Sequence, residues 1–162
     1  MKRNALTLIT ILAVAILTAG LFNDLTSASE GNGARALEGT WKVRLTPRSG
    51  GAQFDEFMTF TSGGGIVESN NFPFFQMGLT AGTGHGTWEH AGAHTYRFAF
   101  SKFLFQVSGQ PAGTLKAAGV LTYSPETGTW SGPANVSICD NLGQNCFTID
   151  VTDGAAARMP AE

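Results

Sequence analysis

Beyond residue 38 apolar and polar residues alternate in short runs, and glycine-rich turns separate one run from the next. In residues 39–46, Trp41, Val43 and Leu45 share one parity and Lys42 and Arg44 the other. A period of two predicts a strand with one buried face, because successive strand side chains point to opposite sides. Comparable runs cover residues 53–61, a short stretch ending near Ser69, residues 84–90 and a long run after the Ala91-Gly92-Ala93 turn. Three more follow. One carries Leu115, Ala117, Gly119, Leu121 and Tyr123, and the next carries Trp130, Gly132, Ala134, Val136 and Ile138. The last, residues 146–152, offers Phe147, Ile149 and Val151. In the long run the parity changes, with Tyr96, Phe98 and Phe100 on one phase and Phe103, Phe105 and Val107 on the other. A single-residue bulge near Ser101-Lys102 would bring all six to one face.

Eight strands with mostly short connections predict an all-β fold, an eight-stranded antiparallel up-and-down barrel. A two-sheet sandwich is the competing architecture, and it would want a longer crossover. Three copies of Gly-Thr-Trp, at residues 39–41, 86–88 and 128–130, place all three tryptophans on inward-facing runs. One connection departs from the pattern. Residues 70–83 hold Phe72, Pro73, Phe74, Phe75, Met77 and Leu79, an apolar content that suits either a lid or a plug closing the barrel. Residues 153–162 are expected to form a loose tail.

Ahead of the barrel, Lys2 and Arg3 precede an apolar stretch over residues 5–22, followed by Thr26-Ser27-Ala28-Ser29. This layout predicts a secretory signal cut after Ala28, with an uncleaved anchor as the alternative. Residues 29–38 then act as a linker to a single barrel domain over residues 39–152. Without residues 1–28 the charge is −3, from eight Lys and Arg against eleven Asp and Glu. The basic residues are scattered singly, so neither nucleic acid nor an anionic membrane surface is an expected partner of the mature domain. Cys139 and Cys146 flank an Asp140-Asn141-Leu142-Gly143 turn, and after export they are expected to pair as a disulfide staple.

With Gly39-Thr40-Trp41 opening the first of eight strands, the chain resembles the calycin superfamily of small ligand-binding barrels. Residues 84–89, following the Phe-rich loop, also resemble short secreted bacterial lipocalin-like barrels. The resemblance implies that Trp41 packs across the barrel floor and that the barrel binds a small molecule. The chain departs from the lipocalin pattern in several places. Its one Thr-Asp, Thr152-Asp153, comes late and lacks the following Tyr, and the usual C-terminal helix is not expected after the last strand. The arginine that often covers the lipocalin tryptophan has one late counterpart, Arg158, which the reading above places in the tail. A polar set matching the avidins is not evident.

The expected ligand is therefore a small hydrophobic or aromatic molecule. Its wall would come from Trp41, Phe60, Trp88, Phe98, Phe100, Phe105 and Tyr123, with Phe72, Phe74 and Phe75 supplied by the loop. Small residues at 113, 117, 119, 132 and 134 would leave room for it, unless they accommodate ring packing in a filled core. In the filled case the Phe-rich loop would instead meet a protein partner. Glu56 shares parity with Phe54, Met58 and Phe60. An inward carboxyl there would make the barrel a cyclase or isomerase, as in barrel cyclases related to calycins, unless Phe57 and Thr59 claim the inner face. His85, His90 and His94 invite a metal site with Glu89, but strand parity separates them and no metal is assigned. The nucleophile-elbow, zinc-protease and phosphate-loop motifs are missing, so no catalysis and no cofactor is assigned.

Overall fold

The computed structural model describes Gly33 and residues 35–160. The expected leader over residues 1–28 lies outside the described residues. Gly39 opens β1 (Gly39–Pro47) at φ 117°, a left-handed conformation that favours glycine, and a Cβ there would strike the Arg158 guanidinium. From Gly39 the chain enters the pleat with Trp41 and Val43 buried and Lys42 and Arg44 exposed. The strands that follow are β2 (Phe54–Phe60), β3 (Gly65–Asn70), β4 (Leu79–Ala81) and β5 (Gly84–Gly92). After them come β6 (Thr95–Gln106), β7 (Pro111–Ser124), β8 (Thr129–Cys139) and β9 (Cys146–Arg158).

Eight staves close on themselves. The order β1, β2, β3, β5, β6, β7, β8, β9 is antiparallel throughout, and β9 returns to pair with β1. The short β4 lies end to end with β5 against β6, so the two form one stave interrupted at residues 82–83. With every main stave paired on both sides, the barrel body leaves no open sheet edge.

Three features differ from the sequence reading. No bulge falls at Ser101-Lys102. The phase set by Tyr96, Phe98 and Phe100 runs on through Lys102 and Leu104, both buried, and Phe103 is turned out at 69% exposure. The register shift lies between Leu104 and Phe105, leaving Phe105 half-buried and Val107 exposed. The expected tail is strand, because β9 continues to Arg158 between β1 and β8. The inner face of β9 also carries different residues from those expected. Thr152, Gly154 and Ala156 face inward while Phe147 and Ile149 are exposed. Pairing explains this, since Ala156 sits opposite Val43 and Trp130, whose bulk needs a small neighbour.

The antiparallel order gathers the starts of β1, β3, β6 and β8 at one end, and this end is packed solid. Trp41 and Trp130 lie 6.4 Å apart, and the Phe60 ring stands edge-on to both Trp130 and Trp88. The Trp41 indole N–H donates to Leu37 O at 2.8 Å, and the Tyr96 hydroxyl donates to Gly33 O. The Arg158 guanidinium lies 4.5 Å above the Trp41 ring and donates to the carbonyls of Glu38 and Ala36. The residues before β1 thus plug this floor. At the opposite end Cys139 and Cys146 are register partners joined by a disulfide, and the Asp140 carboxylate caps their turn through Leu142 N and Gln144 N.

Candidate functional site

Above the packed floor the barrel is hollow. A chamber of about 180 Å³ opens toward the end where β1 finishes and β2 begins. Met58 and Trp130 underlie it, and Phe98, Phe100, Leu115 and Val136 form much of its wall. Small residues make the space, with Ala117, Ala134, Gly132 and Gly154 all lining it. Gly113 and Gly119 do not line it. A Cβ on either would lie within 2.4 Å of a carbonyl on β8, so these glycines permit close strand approach.

The loop after β3 covers the mouth. Asn70 Oδ1 accepts from Phe72 N and Asn71 Oδ1 accepts from Asp55 N, which pins the start of the loop to β2. Pro73 then leads into a 3₁₀ turn (Phe74–Met77) that ends at Gly78 in the left-handed region, φ 71°. Phe72 and Phe74 pack together with ring centroids 4.7 Å apart and both line the chamber, as do Met77 and Leu79. Phe75 points away and is 69% exposed.

One patch of the wall is charged. Lys102 Nζ lies 2.8 Å from Glu68 Oε1, and Asn70 Nδ2 donates to the same oxygen at 2.8 Å. Glu68, Lys102 and Glu56 are all buried, and Glu56, Asn70 and Lys102 line the chamber. Burial pushes the Glu56 carboxyl well above its usual range, and the neighbouring Glu68 charge pushes it further. Lys102 pulls in the opposite direction, but its ammonium is committed to Glu68. Glu68 Oε2 is buried without a donor among the described residues unless Glu56 is protonated and supplies one. Two buried carboxyls thus sit beside one ammonium, and Glu56 is the one whose ionisation the surroundings oppose.

Of the residues expected at a ligand site, Phe72, Phe74, Phe98 and Phe100 line the chamber. Trp41, Phe60 and Trp88 belong to the packed floor, where Tyr123 stands edge-on to Trp41 at 6.1 Å. Phe105 and Phe75 lie outside it. Glu56 takes the inner face and Phe57 the outer, at 44% exposure. Glu68, Lys102 and Asn70 were not anticipated. The signal for Lys102 is its phase, shared with Phe98, Phe100 and Leu104, and Glu68 is in phase with buried Ile66.

The histidines do not converge. His85 and His94 are exposed, and the His90 ring lies tilted against Tyr96, 5.2 Å between centroids, and bonds Ala93 O at 2.9 Å. Glu89 pairs with Arg97 on the outer surface. Among the described residues no three His, Cys, Asp or Glu side chains gather to hold a metal. None of their helices is long and apolar enough to cross a membrane. No protein-family model, curated protein or solved structure matches this chain.

Proposed function

We propose that this chain is a secreted, lipocalin-like binding barrel of the calycin kind that holds a small hydrophobic or aromatic molecule in the chamber. The observation that carries the reading is the chamber itself, about 180 Å³ of mostly apolar space with one small polar patch. A cavity of roughly 150 Å³ admits benzene, so the space suits a molecule of one ring with a short substituent. Few, localised polar groups in an apolar wall are what orient such a ligand. Arg158 stacked on Trp41 supports the calycin resemblance, and the Cys139–Cys146 disulfide supports an oxidising compartment.

Native mass spectrometry of protein purified from its own host tests the reading, with a bound molecule lost on denaturation as the expected result. A fluorescence titration complements it. Trp130 lines the chamber whereas Trp41 and Trp88 do not, so ligand should change emission in the wild type and not in Trp130→Phe. A clean apo mass together with no response across a panel of hydrophobic ligands would sink the proposal.

A second reading rests on Glu56. A buried carboxyl held well above its usual range in a mostly apolar chamber is suited to general acid catalysis, which supports a cyclase or isomerase. Turnover that survives Glu56→Gln unchanged would end it.

A further inference from the structure

The charged patch is unbalanced. Glu56 on β2 and Glu68 on β3 face one ammonium, Lys102 on β6, and Lys102 is the one cationic side chain lining the chamber among the described residues. Asp150, on β9 at the mouth, adds no positive charge and is held by Ser49 and Val151 N. Lys102 is committed to Glu68 at 2.8 Å, and among the described residues no second cation forms an ion pair with Glu56. Glu56 is 4% exposed and lines the chamber, which makes it a buried acid with access to whatever the chamber holds.

Resting on the chamber being a ligand site, we propose that it takes a compact aromatic or alkyl amine, with the ammonium docked on Glu56 and the apolar part against Phe98, Phe100 and Leu115. Two lines of argument converge. The first is charge balance. Two carboxylates and one lysine leave a net charge of −1, which either a proton or a second cation neutralises. A ligand ammonium displaces the proton of Glu56 and keeps the buried patch neutral. A ligand carboxylate would instead bring a third carboxyl, and an uncompensated negative charge, to a desolvated site with one ammonium, which is strongly disfavoured. The second is the wall. Phe54, Phe72, Phe74, Phe98 and Phe100 all line the chamber, and aromatic faces attract ammonium groups. One such contact is already made, with Lys102 Nζ 5.5 Å from the Phe74 ring centroid.

Three near-isosteric probes test this: 2-phenylethylamine, 2-phenylethanol and phenylacetate. Calorimetry near neutral pH in two buffers of different ionisation enthalpy reads both affinity and proton exchange. The amine should bind about tenfold more tightly than the alcohol, the difference between a charge-assisted and a neutral hydrogen bond. Phenylacetate should bind most weakly. Amine binding should release up to one proton per site as Glu56 ionises, and alcohol binding should release none. Glu56→Gln should remove the preference for the amine and the proton release while alcohol binding persists. Alcohol binding as tight as amine binding, or amine binding without proton release, overturns the amine assignment and leaves the chamber as a ligand site. Failure of all three probes, with a clean native mass and a silent ligand panel, overturns both. Should Glu56→Gln not fold, proton release by the wild type alone decides.

Discussion

Lys102 reaches Glu68 across an intervening strand, and Gly84 on that strand is what lets it pass. Glu68 pairs with Gly84, and Lys102 follows the Ser101 that pairs with His85, so the three occupy one row around the barrel. A Cβ at residue 84 would lie 2.4 Å from Glu68 Oε2 and 3.0 Å from the Phe100 ring. The buried ion pair therefore depends on an absent side chain as much as on its two charges.

Breaking this pair from one side should be costly. Lys102→Met leaves Glu68 buried without its cation, and the expected loss is about 3–5 kcal/mol in urea unfolding. Adding Glu68→Gln to Lys102→Met removes the stranded charge and should recover most of that loss. A double variant no more stable than Lys102→Met would show that the ammonium matters for some reason other than charge.

Glu56 predicts a pH dependence whose sign is opposite to that of most protein carboxyls. Its ordinary value is 4.5, and in the fold it is held well above this by burial and by Glu68. Below the ordinary value both states carry the proton, and the contribution of this group is fully present. As pH rises, the unfolded chain releases its proton first, so stability is lost until the folded carboxyl itself ionises. Glu56→Gln should flatten this decline, leaving the variant the more stable of the two at mildly alkaline pH. Thermal melts of both proteins from mildly acidic to mildly alkaline pH check this, and parallel curves would place the Glu56 proton elsewhere.

The barrel was legible because one inner face per strand leaves a period of two, but in β2 that period left two phases open, Glu56 inward with Met58 and Phe60 or outward with Phe57 and Thr59 inside. Burial of Met58 and Phe60 decides for the first. The ion pair was not legible. A charged residue on an apolar phase reads as a phase error until its partner is known, and Glu68 lies 34 residues away on a strand that does not pair with β6. The inward lysine was thus read as a bulge. The end of β9 was hidden differently. Gly154, Ala155, Ala156 and Ala157 carry no β-branched or bulky side chain, so nothing local marks a strand. Pairing to β1 on one side and β8 on the other supplies what propensity does not.

Arg158 closes the floor from that strand. Its guanidinium covers Trp41 and holds the carbonyls of Ala36 and Glu38, which fastens the residues preceding β1. Arg158→Ala removes a cation–π contact and two charge-assisted hydrogen bonds, with an expected loss of about 2–4 kcal/mol. Hydrogen exchange of the Trp41 indole N–H gives a local readout, since its acceptor, Leu37 O, lies in the fastened segment. Faster exchange in Arg158→Ala is expected, and an unchanged rate would show that the segment is held without the arginine.

One substitution made at two places separates the open chamber from the packed floor. Ala117 and Ala156 are both nearly buried, on inward positions of β7 and β9, but Ala117 lines the chamber and Ala156 packs within the floor opposite Val43 and Trp130. Three added carbons at 156 have nowhere to go, so Ala156→Leu should cost about 1–3 kcal/mol or more by overpacking. The same carbons at 117 enter open volume and bury apolar surface there, so Ala117→Leu should keep stability within about 1 kcal/mol of the wild type. It should also abolish binding of any ligand that alters Trp130 emission, because the added side chain occupies the same space. Equal destabilisation at the two sites would mean that the upper barrel collapses around its small residues in solution. Ligand binding that survives Ala117→Leu would move the site from the chamber to the mouth under Phe72 and Phe74.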